Sequence, residues 1–156
     1  AAFKIIIGKT NDELVSFIDG VRAETREQPY ENIAFPRGCN GVEKYFSRSE
    51  IYIKGTPIHV RGALLYNHYV KKNKIENKYP LIQEGEKIKF IYLKTPNPLR
   101  EDCISFFNEI PKEFGMDKYI DHKKQFEKSF LKPLENVLEC IGWNSKKVVT
   151  IGSFFA

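Results

Sequence analysis

The sequence predicts an α+β fold, with short strands packed against two or three helices, on three observations. Apolar residues recur at helical spacing over residues 12–27, 56–74 and 119–141. Short β-branched or alternating stretches fall between them. Proline and glycine gather in the connections. The chain is 156 residues long, with 42% hydrophobic and 13% aromatic residues, enough apolar material for one core-forming domain.

Phe3-Lys4-Ile5-Ile6-Ile7 predicts a first strand, closed by Gly8. Thr10 and Glu13 stand at capping-box spacing, and Leu14, Ile18 and Val21 then line one face of a helix over 12–27, which Pro29 ends. Residues 30–50 read as irregular, with turns at Pro36-Arg37-Gly38 and Asn40-Gly41. Ile51-Tyr52-Ile53 predicts a short strand. Thr56-Pro57 opens a helix that runs to about Lys74, with Val60, Ala63, Leu64 and Asn67 on one face. Glu84-Gly85-Glu86 predicts a turn, and Lys87–Lys94 a strand with Ile88, Phe90 and Tyr92 on one side. Pro96, Pro98 and Pro111 leave 95–120 mostly loop. The last helix, over 119–141, presents Phe126, Phe130, Leu134, Val137, Leu138 and Ile141, is kinked or divided at Pro133, and is capped by Gly142.

Mean hydropathy is −0.42, and no apolar run approaches the roughly 20 residues of a membrane span, so no membrane association is expected. The N-terminus lacks the pattern of a signal peptide, and a start at Ala1-Ala2 suggests a fragment or processed product. Cys39, Cys103 and Cys140 form no C-x-x-C pattern and read as buried free thiols in a reducing cytoplasm. His59, His68 and His122 have no metal-binding spacing, so no metal site is expected.

The net charge of +5 is unevenly spread. Residues 54–94 hold nine cations (Lys54, Arg61, Lys71, Lys72, Lys74, Lys78, Lys87, Lys89 and Lys94) against Glu76, Glu84 and Glu86, so the whole positive excess lies there. Such a segment on a folded domain fits a polyanion partner; a solvated lysine surface fits it equally. Tyr66, Tyr69, Tyr79, Phe90 and Tyr92 are interleaved with these cations, for stacking or for the core. Lys54-Gly55-Thr56-Pro57-Ile58-His59-Val60-Arg61 leads into a helix N-terminus, where Lys54, His59 and Arg61 would add donors for a phosphate.

The tail, residues 144–156, is a polar hinge with an apolar tip. Ile151, Phe154 and Phe155 at i, i+3, i+4 fall on one side of a single helical turn. That is the spacing of sliding-clamp-binding peptides, although Val148 stands where such peptides carry glutamine; folding back on the core is the alternative. No nucleotide-binding P-loop, serine-elbow motif or D-x-D pair occurs. Glu76-Asn77-Lys78 and Asp121-His122-Lys123 match the acidic-x-Lys triplet of metal-dependent nucleases at chance level. No catalytic residue is assigned.

Four blocks follow one another in order: Phe35-Pro36-Arg37-Gly38, Lys54 through Asn67, Glu84-Gly85-Glu86-Lys87-Ile88, and Phe126 through Glu135. With the tail, they resemble the C-terminal thumb region of family B DNA polymerases of the T-even bacteriophage type, over nearly the whole chain. The resemblance implies a thumb-like body over 1–143, in which 1–28 is open to assignment as the end of the palm, and a flexible clamp-binding tail over 144–156. It implies that Lys54, His59, Arg61, Lys128 and Lys132 grip primer–template duplex DNA by its backbone, that Lys44 and Tyr45 line the minor-groove side, and that Ile151, Phe154 and Phe155 bind a sliding clamp. Glu101-Asp102 departs from the family, where a basic residue is expected. Nothing in the chain resembles the palm aspartates or the exonuclease carboxylates. Nucleotidyl transfer, magnesium and nucleotide therefore belong to a palm- and exonuclease-bearing polymerase chain, in the host cytoplasm if the source is a phage. An excised fragment and a natural subunit of a split polymerase both fit, and the rival functions are a stand-alone nuclease using Glu76 and Asp121 or a clamp-binding scaffold.

Overall fold

The computed structural model describes residues 11–140 and residue 142. The strand expected over residues 3–7, Thr10 of the capping box, Ile141 and the whole tail 144–156, with Ile151, Phe154 and Phe155, lie outside the described residues. The chain divides into two compact units. One takes in the described residues up to Gln28 together with those from Phe126 onward; the other is Pro29–Gln125.

In the first unit, helix α1 (Asn11–Glu27) buries Leu14 and Ile18 completely, as their spacing predicts, with Phe17 and Val21 packed beside them. Its partners in the same cluster are Phe126, Leu131, Leu134 and Leu138. Arg22 pairs with Asp19 at 3.0 Å and lays its guanidinium 5.3 Å from the Phe126 ring centroid.

The C-terminal helical run begins later than expected, at His122, and is interrupted. An α-helical turn over His122–Phe126 gives way to a π-helical stretch over Glu127–Leu131, and α-helix resumes over Lys132–Cys140. Pro133 accounts for the break. It has no N–H to donate four residues back, and its ring crowds the Ser129 carbonyl. The ladder widens ahead of it, so that the Lys132 N–H donates to Glu127 O, five residues back. Val137, read as part of the apolar face, is instead an exposed large hydrophobic residue. Gly142 takes the left-handed φ of +72° expected of a C-terminal cap, and its N–H reaches Glu139 O at 3.3 Å.

The Pro29–Gln125 unit corrects the two stretches read as irregular. Residues 30–50 contain a short helix α2 (Tyr30–Ile33), strand β1 (Phe35–Gly38), a short helix α3 (Val42–Tyr45) and strand β2 (Phe46–Ser47). Pro36 hid β1; it is tolerated because β1 lies at the edge of its sheet. The turn at Gly41 is real, with φ of +109°. Strand β3 (Ile51–Tyr52) pairs antiparallel with β2, Phe46 opposite Tyr52.

Residues 95–120 likewise hold a strand, β5 (Cys103–Phe106). Each of its four residues is buried, so it lacks the alternation by which a half-buried strand is recognised. β4 (Lys87–Tyr92) lies between β1 and β5, antiparallel to both, with Phe35 opposite Phe90 and Cys103 opposite Tyr92. That register places Phe35, Arg37, Ile88, Phe90, Tyr92, Cys103 and Ser105 on one face.

Helix α4 (Ile58–Lys72) packs on the β5 side of this face, burying Val60, Ala63, Leu64, Leu65 and Tyr66. Its closest approach is at Gly62, where a Cβ would stand 2.7 Å from Ser105 N and 3.0 Å from Ile104 C. Ser105 Oγ donates to His59 O at 2.7 Å across the same contact. Asn67 donates from Nδ2 to Ile82 O and accepts from Ile82 N, both at 2.8 Å, which fastens the segment after the helix. Gly62 and Asn67, both in the block Lys54 through Asn67, thus have structural roles.

Two of the three thiols are buried as read, and Cys140 is exposed. Burial pushes the Cys39 thiol up to about 11 and the Cys103 thiol to about 12, so both stay protonated and unreactive at neutral pH. No helix among the described residues is long and apolar enough to cross a membrane.

Candidate nucleic-acid interface

Five of the seven residues read as contacting DNA lie in the Pro29–Gln125 unit. Lys44 and Tyr45 end α3, with the Lys44 ammonium 5.1 Å from the Tyr45 ring centroid. The Ile53 N–H donates to Tyr45 O at 3.0 Å, extending the β2–β3 ladder by one bond. Lys44 and Lys54 therefore flank the same open end of the hairpin, and both are exposed. Gly55 turns the chain with φ of +86°, and the Thr56 hydroxyl donates to Ile53 O at 2.6 Å instead of capping the helix that follows. Pro57 occupies the N-cap of α4 with no side-chain cap.

His59 and Arg61 enter on the first turn of that helix. The His59 ring stands 6.4 Å from Phe90 and is half-buried. Burial, with the Arg37 charge nearby, holds its imidazole below the usual histidine range. At neutral pH it offers a hydrogen bond and not a charge.

Arg61 is engaged within the protein. Its Nη2 donates to Asp102 Oδ1 at 2.8 Å, and its Nε lies 4.0 Å from Glu101 Oε2. Glu101 also accepts a short hydrogen bond from the Tyr52 hydroxyl, and burial followed by that bond pushes the Tyr52 phenol up to about 12. Asp102 is shared with Lys124, whose ammonium is 3.9 Å away and sits 4.8 Å from the Tyr92 ring centroid. The loop that carries the two acids is held by buried Asn97, which donates to Lys94 O at 2.8 Å and Glu101 O at 2.6 Å and accepts from Leu99 N at 3.0 Å. The Glu101-Asp102 departure thus takes up the guanidinium that the sequence assigns to DNA.

Elsewhere in the basic segment, Lys78 pairs with Glu113 at 2.8 Å and Lys89 donates to Glu31 O at 3.2 Å. Lys54, Lys71, Lys72, Lys74, Lys87 and Lys94 are exposed and have no carboxylate partner among the described residues. Of the interleaved aromatics, Tyr66, Tyr79 and Phe90 are core, while Tyr69 and Tyr92 are half-buried. Lys128 and Lys132 belong to the other unit, on the π-helical stretch and at the start of the helix after it, and both are exposed.

Asp121 has a local task, accepting from Lys124 N at 3.0 Å at the start of a helical turn. Among the described residues no group of three or more His, Cys, Asp or Glu is placed to hold a metal ion. Sequence reasoning passed over two cations, Arg37 and Lys124. The first lay in a block read as a turn and used for the resemblance without a role for the arginine, and nothing local marks the second.

The chain is similar to DNA polymerases of two bacteriophages over most of its length. It is 28% identical to the DNA-directed DNA polymerase of Enterobacteria phage T4 over 154 residues, 96% of this chain and 17% of that protein. It is also 28% identical to the DNA-directed DNA polymerase of Escherichia phage RB69 over 135 residues, 83% of this chain and 14% of that protein. The chain therefore spans about a sixth of the length of these curated relatives. No protein-family model matches it.

Proposed function

We propose that this chain is the non-catalytic thumb portion of a family B DNA polymerase. On this reading it grips primer–template duplex through the phosphate backbone and tethers the enzyme to a sliding clamp, so that product duplex stays near an active site on other polypeptide. The body is residues 1–143, of which 1–28 are open to assignment as the end of the palm, and the tether is 144–156. Magnesium and nucleotide bind to the palm-bearing portion, in the cytoplasm where replication takes place.

The observation that carries the reading is that likeness to two phage polymerases runs along nearly all of this chain. The concentration of the positive charge in residues 54–94 supports it, since phosphate gripping needs cations and no base reading. So do the exposed cations at the open end of the β2–β3 hairpin.

The test is binding of labelled duplex DNA over a range of salt. Log affinity falls steeply with log salt if phosphates are contacted, and a flat dependence removes the reading. Adding magnesium separates it from the nuclease alternative: strand cleavage that Glu76→Gln or Asp121→Asn abolishes would replace a grip with a catalytic site.

A further inference from the structure

Arg37 stands exposed on edge strand β1, on the same sheet face as His59's neighbour Phe90. Its guanidinium lies 5.7 Å from the Phe35 ring centroid and 5.8 Å from that of Phe90, within the range of cation–π attraction. Phe35 in turn meets Phe90 at 5.1 Å and Tyr92 at 6.4 Å, so the cation rests on a continuous aromatic floor. One of its N–H groups is spent locally, from Nη1 to Pro36 O at 2.7 Å. The remaining donors of the fork have no carboxylate partner among the described residues.

Arg61 presents the reverse case. Asp102 and Glu101 occupy it, only 26% of its side chain is exposed, and its Nε is the one buried side-chain polar atom without a hydrogen-bond partner among the described residues. A phosphate arriving there would have to displace two carboxylates from a partly buried site.

We propose that Arg37, and not Arg61, is the guanidinium with which this face takes up a phosphodiester of duplex DNA; this rests on the function proposed above. Stacking on Phe35 and Phe90 limits the side chain's freedom before the ligand arrives, so less entropy is lost when the planar fork closes on phosphate oxygens. The surrounding excess of cations suits a repeating polyanion. Arg61 fastens the Glu101-Asp102 loop to α4 and is a structural residue.

The experiment is fluorescence anisotropy of a labelled short duplex titrated with the full chain at neutral pH over a salt series, for the unaltered protein and for Arg37→Ala, Arg37→Lys and Arg61→Ala. Arg37→Ala is expected to weaken binding at every sequence and to flatten the log–log salt slope by about 0.9, the loss of one phosphate contact. Arg37→Lys keeps the slope and loses part of the affinity, because a point charge replaces the fork. Arg61→Ala keeps the slope and lowers the melting temperature. If the unaltered chain binds duplex and Arg37→Ala binds with the same slope, or if the slope loss follows Arg61 instead, this assignment is overturned while the thumb reading stands. Absence of duplex binding by the unaltered chain at low salt overturns both. Unchanged circular dichroism of Arg37→Ala ensures that a loss is read at the surface and not through the fold.

Discussion

Arg61 and Asp102, forty-one residues apart in sequence, meet through an Nη2–Oδ1 hydrogen bond of 2.8 Å. The contact joins the first turn of α4 to the start of β5 and sets a carboxylate between two cations, since Lys124 approaches the other Asp102 oxygen at 3.9 Å. Partly exposed pairs of this kind contribute on the order of 1 kcal/mol to stability. Their larger effect here is on charge: a guanidinium on the basic segment is neutralised by the protein's own acid.

Replacing Asp102 by Asn releases that neutralisation. The expected result is tighter duplex binding and a log–log salt slope steeper by about one, as one acid is removed and Lys124 becomes free to meet a phosphate while Glu101 still faces Arg61, with a melting temperature lower by a few degrees. A lower melting temperature with an unchanged slope would assign Asp102 to the fold alone.

Lys128 and Lys132 are exposed four residues apart across the π-to-α junction. Under the proposed function, changing both to Glu is expected to weaken duplex binding at least tenfold at low salt without altering sequence preference, because two exposed cations become anions. Competition between duplexes of unrelated sequence, measured alongside direct titration, checks both halves. Unaltered affinity would remove the pair from the interface.

Phe154→Ala with Phe155→Ala tests the tether. Under the proposed function, the two aromatics with Ile151, at helical spacing in the sequence, are the anchor for an apolar pocket on the clamp. Pull-down of the chain by an immobilised sliding clamp is expected to be lost while its circular dichroism is unchanged. Retained pull-down would place the clamp contact elsewhere.

Gly62→Ala gives a stability test of the helix–sheet contact. In an isolated helix the substitution would favour folding by about 1 kcal/mol. Here the added methyl meets Ser105 N at 2.7 Å, and backbone cannot turn aside as a side chain can. Overpacking of this kind costs roughly 1–3 kcal/mol, so the net change expected is destabilising, read as a lower urea midpoint with an unchanged slope. A midpoint at or above that of the parent protein would mean that α4 and β5 can part at little cost.

This contact also marks the border of what the sequence makes legible. Helices α1 and α4 follow from spacing within one segment: Leu14 and Ile18, or Val60, Ala63 and Leu64, repeat on one face and are buried there. Strand β5 has no such local record, being covered on both sides, and β1 is masked by its own proline. The candidate site divides in the same way. Lys54 and His59 were singled out because they lie beside a turn and a helix start, and Lys44 through the resemblance alone. That Arg61 is occupied and Arg37 is not depends on Asp102, Phe35 and Phe90, and pairing across such distances leaves no mark on a single segment.

Alkaline pH tests the core around α4. Tyr66 is 2% exposed and its hydroxyl donates to Pro80 O at 3.0 Å. Burial first, and then the nearby Tyr79, pushes its phenol up to about 12. Burial likewise takes Tyr30 to about 12 and, with the bond to Glu101, Tyr52 to about 12. A tyrosine in the unfolded chain ionises near 10, so between pH 10 and pH 12 the unfolded state has lost protons that the folded state keeps. The stabilisation is fully present below pH 10 and is lost as pH rises toward 12. For Tyr66 alone it is on the order of 2 kcal/mol. Urea midpoints are thus expected to be level near neutrality and to fall through the alkaline window. Tyr66→Phe is expected to start from a lower midpoint, having lost the bond to Pro80 O, and to fall less steeply because one of the alkaline titrations, which include the Cys39 and Cys103 thiols, is gone. Equal steepness in the two proteins would mean that ionised Tyr66 is tolerated in the folded state, and that the helix over it opens to water before the unit unfolds.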